Sequence, residues 1–252
     1  MRRKLLDNLK RVRDRIASAC GRRGRRVEDV RLVAVTKTVE VDVIRELVEL
    51  GVTDLGESRV QELVKRAGMI NEHLSRKRLM NEPAAAEPRW HMVGHLQRNK
   101  VRPLLPWVDV IHSLDTLRLA EEISAEAARQ GRTVPLLVEV NISGEKTKFG
   151  IAVGAVPHFI ANISNLPGIS IVGLMTMAPL VDNPEAARPY FARLREVFED
   201  VRAEGLAGKN FRELSMGMSN DFEVAIEEGA TMVRVGTALF EGIAPAGSGT
   251  DE

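Results

Sequence analysis

Eight short apolar runs, each followed by a stretch of helical spacing, predict a single (β/α)8 barrel with an extra helix in front. The chain length of 252 residues agrees, because eight βα units occupy about 250 residues. Polar residues also recur at the C-terminal ends of the runs, where barrel enzymes build their sites. A doubly wound open sheet alternates in the same way, but the count of eight and the polar strand ends favour the barrel.

The first element is a helix over Lys4–Ala19, with Leu5, Leu9, Val12 and Ile16 on one stripe. RLVAVTK (Arg31–Lys37) follows as a near-continuous apolar run, the pattern of a strand buried on both faces. VDVIRELVELG then has helical spacing closed by Gly51. The later strands are VTDLGES, RWHMVGH, VDVIHSLD, VPLLVEVNIS, ISIVGLMTM, FRELSMGMS and TMVRVGT. Helices are expected over Arg59–Gly68, Leu96–Leu105, Thr116–Gln130, Val156–Asn165, Pro184–Glu204 and Asp221–Glu228, with a short last one after Gly236. Met69 to Pro88 is charged and then Ala/Pro-rich, and reads as an extended loop. The barrel domain is expected to cover residues 1–242. The remainder, 243–252, is a tail without core-forming residues and is expected to be disordered.

Composition narrows the function classes. A hydrophobic content of 44% and a net charge of +1 suit one globular domain and argue against bulk nucleic-acid binding. The arginines from Arg11 to Arg26 could form a nucleic-acid arm. No aromatic interleaves them and acids elsewhere balance them, so a solvated helix face is the reading taken. The lone Cys20 excludes an internal disulfide. MRRKLL is not followed by an apolar segment, and no run approaches roughly 18 apolar residues. A cytoplasmic protein with no membrane contact is expected.

Lys37 ends the first strand, and a barrel would leave it partly buried. Desolvation there lowers an amine's pKa and makes it nucleophilic, the property used by lysines that form Schiff bases. A lysine snorkelling out of the barrel mouth is the alternative. Ser219 and Asn220 precede a helical run with Glu223 after them, as in a capping box. Gly236 and Thr237 open the last helical stretch. These two turns follow strands seven and eight, where barrels commonly bind phosphate with backbone N–H groups. Arg234 lies in the eighth strand and needs an acceptor, which is either a carboxylate such as Glu223 or a cofactor ring nitrogen.

With these residues placed, RWHMVGHLQRNKVRPLL resembles the signature of the YggS/PROSC family of homeostasis proteins that bind pyridoxal 5′-phosphate (PLP). The resemblance extends through AVTK, GESRVQE, IHSLD, NISGEKTKFG, GLMTM, LSMGMSNDFEVAIEEG and MVRVGTALF, from about Leu32 to Gly242. It implies a barrel similar to the N-terminal domain of alanine racemase, with PLP as a Schiff base on Lys37. It also implies that Ser219, Gly236 and Thr237 hold the phosphate and that Arg234 faces the pyridine nitrogen. Ser58 stands where the family has Asn in GENYVQE, which weakens a direct contact there but keeps a donor. Lys148 matches a family lysine linked to PLP handling. Met175, Met177, Met216 and Met218 read as barrel packing, and Met218, beside Ser219, is also counted among the cofactor-binding residues. His91 and His95 do not share a helix face, so hydrogen-bonded roles are expected and no metal.

The function implied is a monomeric carrier and regulator of PLP in vitamin B6 and amino-acid homeostasis, without substrate turnover, which serves apo PLP-dependent enzymes. The alternative is a PLP-dependent amino-acid racemase. Three expectations favour the carrier. Arg234 can only donate to the ring nitrogen, the chain ends without a racemase's second domain, and Tyr190 lies in a helix outside the barrel mouth.

Overall fold

The computed structural model describes residues 1–246. Helix α1 (Arg2–Arg22) precedes the barrel and buries Leu5, Leu9, Val12, Ile16, Ala19 and Cys20 at helical spacing. The first half of the barrel runs β1 (Arg31–Val35), α2 (Val41–Glu49), β2 (Asp54–Glu57), α3 (Val60–Leu79), β3 (Arg89–Met92), α4 (Val101–Leu104), β4 (Val110–Leu114) and α5 (Leu117–Arg129). The second half runs β5 (Val134–Asn141), β6 (Ile151–Ala152), α6 (Val156–Ile163), β7 (Ile169–Met175), α7 (Arg188–Ala203), β8 (Glu213–Ser215), α8 (Phe222–Glu227) and β9 (Met232–Val235).

All strand pairings are parallel. β4 pairs with β5 and β1 with β9, so eight strands close on themselves, while the two-residue β6 is a flap on β5. The fold is a (β/α)8 barrel, as the run count predicts. The main core lies between strands and helices. A second, small cluster of Val110, Leu137 and Met175 packs apart from it. Strand alternation puts Val110 on the same face as His112, and Leu137 on the same face as Glu139, so this face carries polar groups as well.

Several boundaries differ from the sequence reading. The segment after Gly68 is not a loop, because α3 continues to Leu79. Ile70 and Leu74 extend the apolar stripe of Leu63 and Ala67, and the surrounding charges pair off, Arg76 with Glu72 and Lys77 with Glu49. Only residues 80–88 are irregular. The helix expected over Leu96–Leu105 is broken into a 3-10 turn (Arg98–Lys100), the four-residue α4 and a second 3-10 turn (Leu105–Trp107), where Pro103 and Pro106 remove backbone donors. After Gly236 there is one turn and no helix, closed by the N–H groups of Leu239 and Phe240 on Gly236 O. Of the expected tail, Ile243 packs against the core and the Ala246 N–H donates to Thr38 O at 2.8 Å. Residues 247–252 lie outside the described residues.

Candidate functional site

The sequence-derived set converges on one place. Lys37, Ser58, Met218, Ser219, Arg234, Gly236 and Thr237 all line a single cavity of about 680 Å³. Each sits on the last residues of a strand or the turn after it, so the cavity opens at the C-terminal end of the barrel.

Lys37 is exposed rather than half-buried, because β1 stops at Val35 and the lysine begins the turn into α2. What holds it is the turn. The Thr36 hydroxyl donates to Glu57 at 2.6 Å, and Arg66 donates both to Thr36 O, at 2.6 Å, and to Glu57. All three residues are buried, so the backbone just before Lys37 is fixed by a charged pair inside the protein. Burial pushes the Glu57 carboxyl up from its ordinary value, against the pull of Thr36 and Arg66.

The turn after β8 is built differently from a capping box. Asp221 is the N-cap of α8; its carboxylate takes the Met218 N–H at 2.6 Å, while Glu223 pairs with Arg15 at 2.7 Å. Gly217 has φ +91°, and a Cβ there would lie 2.6 Å from the Ala225 Cβ and 2.8 Å from the Phe222 Cα, so only glycine fits. Asn220 also lines the cavity and donates to Val181 O at 2.9 Å. Ser219 Oγ accepts the N–H groups of Gly236 (3.3 Å) and Ala238 (3.2 Å), which ties the turn after β8 to the turn after β9. The hydroxyl proton of Ser219 is then left for another acceptor.

Arg234 is buried, and Glu223 is not its partner. Its guanidinium donates to Ser215 Oγ at 2.6 Å and to Thr176 O at 2.8 Å. Burial pulls it down to about 10, which leaves it cationic at neutral pH. Met175 and Met216 pack in the core, whereas Met177 and Met218 line the cavity.

Glu139 and Phe149 are cavity groups that escaped the sequence reading, whereas His95 was expected in a hydrogen-bonded role. Glu139 lines the cavity, is 4% exposed, and is pushed up to about 7 by burial and by Asp115, against the pull of Arg234. His95 stands at the rim 3.3 Å from Asp115 and stacks on Phe149 with ring centroids 3.8 Å apart. Glu139 sits mid-strand in an alternating run and looks like an outward polar residue, and Phe149 lies in a charged loop, so neither carried a signal. The other sequence histidines bind within the protein: His91 contacts Asp54 and His112, and His158 contacts Asn162. Lys148 pairs with Glu145 at 2.7 Å. Among the described residues, no group of three or more His, Cys, Asp or Glu is placed to hold a metal, and no helix is long and apolar enough to cross a membrane.

Comparison with known proteins decides the family. Residues 6–244 match the alanine racemase N-terminal domain family. The pyridoxal phosphate homeostasis protein of Aquifex aeolicus is 41% identical over 234 residues, covering 93% of this chain and 96% of its own. The chain belongs to the pyridoxal phosphate homeostasis protein family. Its structure is similar to that of an unknown protein from Bifidobacterium adolescentis, with a TM-score of 0.85, 41% identity and 95% of each chain covered. It is also similar to PipY of Synechococcus elongatus PCC7942 solved with PLP bound, with a TM-score of 0.75, 31% identity, and 91% and 99% of the two chains covered.

Proposed function

We propose that this chain binds PLP in the barrel-mouth cavity and holds it for release to apo PLP-dependent enzymes, in the cytoplasm, rather than turning substrates over. The residues fit the cofactor. Lys37 offers a primary amine on a fixed turn, and the joined turns of Ser219, Gly236 and Thr237 offer backbone N–H groups and hydroxyls for a phosphate. Arg234 offers a buried donor for the ring nitrogen, and Ser58 and Met218 add walls. When bound, PLP supplies an aldehyde that condenses with a primary amine and a ring that can withdraw electrons.

The observation that carries the reading is Arg234. It is buried, cationic and donor-only, so a pyridine nitrogen set against it stays unprotonated. An unprotonated ring is a weak electron sink, which suits storage better than carbanion chemistry. Tyr190 lies in α7 and is not among the cavity residues, so it offers no proton there. Catalysis is the second reading, and Glu139 favours it, since a carboxyl that titrates near neutrality can hold or give a proton.

Borohydride reduction of the PLP-loaded protein, followed by peptide mapping, should place one pyridoxyl group on Lys37, with none on Lys37→Ala. A label on Lys100 or Lys148 would make the assignment wrong. Racemisation of amino acids by the wild type that disappears in both Lys37→Ala and Glu139→Gln would promote the catalytic reading.

A further inference from the structure

Buried polar side chains form one connected row from the base of the barrel to the cavity. Asp54 opens β2, and its Oδ1 lies 2.9 Å from His91 Nε2 on β3. His91 Nδ1 lies 2.9 Å from His112 Nε2 on β4, and His112 Nδ1 lies 2.9 Å from Ser215 Oγ at the end of β8. Ser215 in turn receives Arg234 Nη1 from β9. His91, His112 and Ser215 are 0% exposed, and Asp54 and Arg234 are 4% and 5% exposed. At its base Asp54 also meets Arg89 at 2.8 Å, Arg31 at 3.7 Å and the Thr53 hydroxyl at 3.0 Å, so it is held as an anion.

The ends of the row dictate its direction. Guanidinium only donates and an ionised carboxylate only accepts. Ser215 Oγ therefore accepts from Arg234 and passes its own proton to His112 Nδ1. His112 carries its hydrogen on Nε2 and gives it to His91 Nδ1. His91 carries its hydrogen on Nε2 and gives it to Asp54. Both histidines are neutral and share one tautomer. The reverse arrangement puts a proton on His112 Nδ1 and leaves His91 facing Asp54, which then requires either a buried imidazolium or a protonated Asp54. Burial disfavours an imidazolium at both histidines.

We propose that Asp54, His91, His112 and Ser215 are positioning residues for Arg234, a one-way row of hydrogen bonds that fixes the guanidinium's orientation and keeps its remaining N–H groups aimed into the cavity. Two of its five donors are spent on Ser215 and Thr176. Each acceptor beyond Ser215 is already taken by its neighbour in the row, so Arg234 finds none toward the barrel base. Its ligand, a pyridine nitrogen, rests on the proposed function, but the row does not.

Two measurements test this separately. Nitrogen-15 NMR of histidine-labelled protein without ligand should show His91 and His112 both neutral, with the proton on Nε2. A proton on His112 Nδ1, or a doubly protonated His91, would overturn the row, whether or not PLP binds. In the second, Ser215→Ala should weaken PLP by about tenfold, the loss of one hydrogen bond to a charged group. It should also shift the bound cofactor's absorption maximum while the His112 proton stays on Nε2, where the Asp54 end of the row holds it, and Ser215→Thr should restore affinity and absorption. An unchanged affinity and absorption band in a folded Ser215→Ala protein would reduce the row to packing. If the wild type takes up no PLP, the proposed function fails and the NMR result alone decides the row.

Discussion

Glu139 is a buried carboxyl whose environment resists its charge. Burial is the main cause, with the Asp115 carboxylate adding to it, and together they hold the group at about 7 against the Arg234 cation. An acid whose folded pKa lies above its unfolded value binds more protons when folded, so it costs stability as pH rises through that window. The shift from the ordinary 4.5 to about 7 corresponds to about 3 kcal/mol. Glu139→Gln should therefore melt higher than the wild type at about pH 8 and lose that advantage by about pH 5. A melting difference that stays flat across this range would show that the carboxyl does not titrate there. Legibility followed position along the strand. Lys37, Ser219 and Thr237 stand in turns after strands, where a polar residue needs a reason, and the sequence singled them out; all three line the cavity. Glu139, His91 and His112 stand inside strands, where polarity looks like ordinary alternation. Their partners come from other strands, His91 from Asp54 and His112, and no local spacing reveals such contacts.

At the scale of elements, the strands were easier to read than the ends of helices. Apolar residues mark most of the β-runs because both faces are covered, and all eight barrel strands fall within the runs read from the sequence. α3 was cut short because its second half is charged, although its buried stripe runs on to Leu74. The stretch after Gly236 was read as a helix because glycine followed by apolar residues suits a helix start, yet the chain closes a single turn there. That turn and the one after β8 work as a pair through Ser219, and Gly217 sets the first of them. Gly217→Ala puts a Cβ into positive φ and into contact with α8. It should cost roughly 1–3 kcal/mol in chemical denaturation and weaken PLP more than pyridoxal, because the turn proposed to hold the phosphate is the one displaced. Equal weakening of both ligands would place the damage elsewhere.

Across the whole molecule, the N-terminal helix serves the other end of the chain. Several arginines of the run are more than a solvated face, because they reach groups near the other end of the chain. Arg11 pairs with Glu241, Arg15 with Glu223 and Arg22 with Glu227, while Arg25 donates to the carbonyls of Ile226 (2.6 Å) and Ala230 (2.8 Å). Most of these pairs are exposed and each contributes little alone. The buried contact is Asn8, whose Nδ2 donates to Leu239 O at 2.9 Å and Glu241 O at 3.1 Å. Those carbonyls belong to the turn that carries Gly236 and Thr237, so α1 braces the proposed phosphate site from behind. Charge-assisted hydrogen bonds contribute roughly 1.5–3 kcal/mol each, so the wild type should bind PLP at least about tenfold more tightly than pyridoxal. Asn8→Leu leaves two carbonyls without a donor, which should cost about 1–3 kcal/mol of stability. With the brace gone, the preference for PLP over pyridoxal should narrow as well, measured by titrating both ligands into the folded variant. A variant that loses stability but keeps the full preference would show that α1 closes the barrel without shaping the turn.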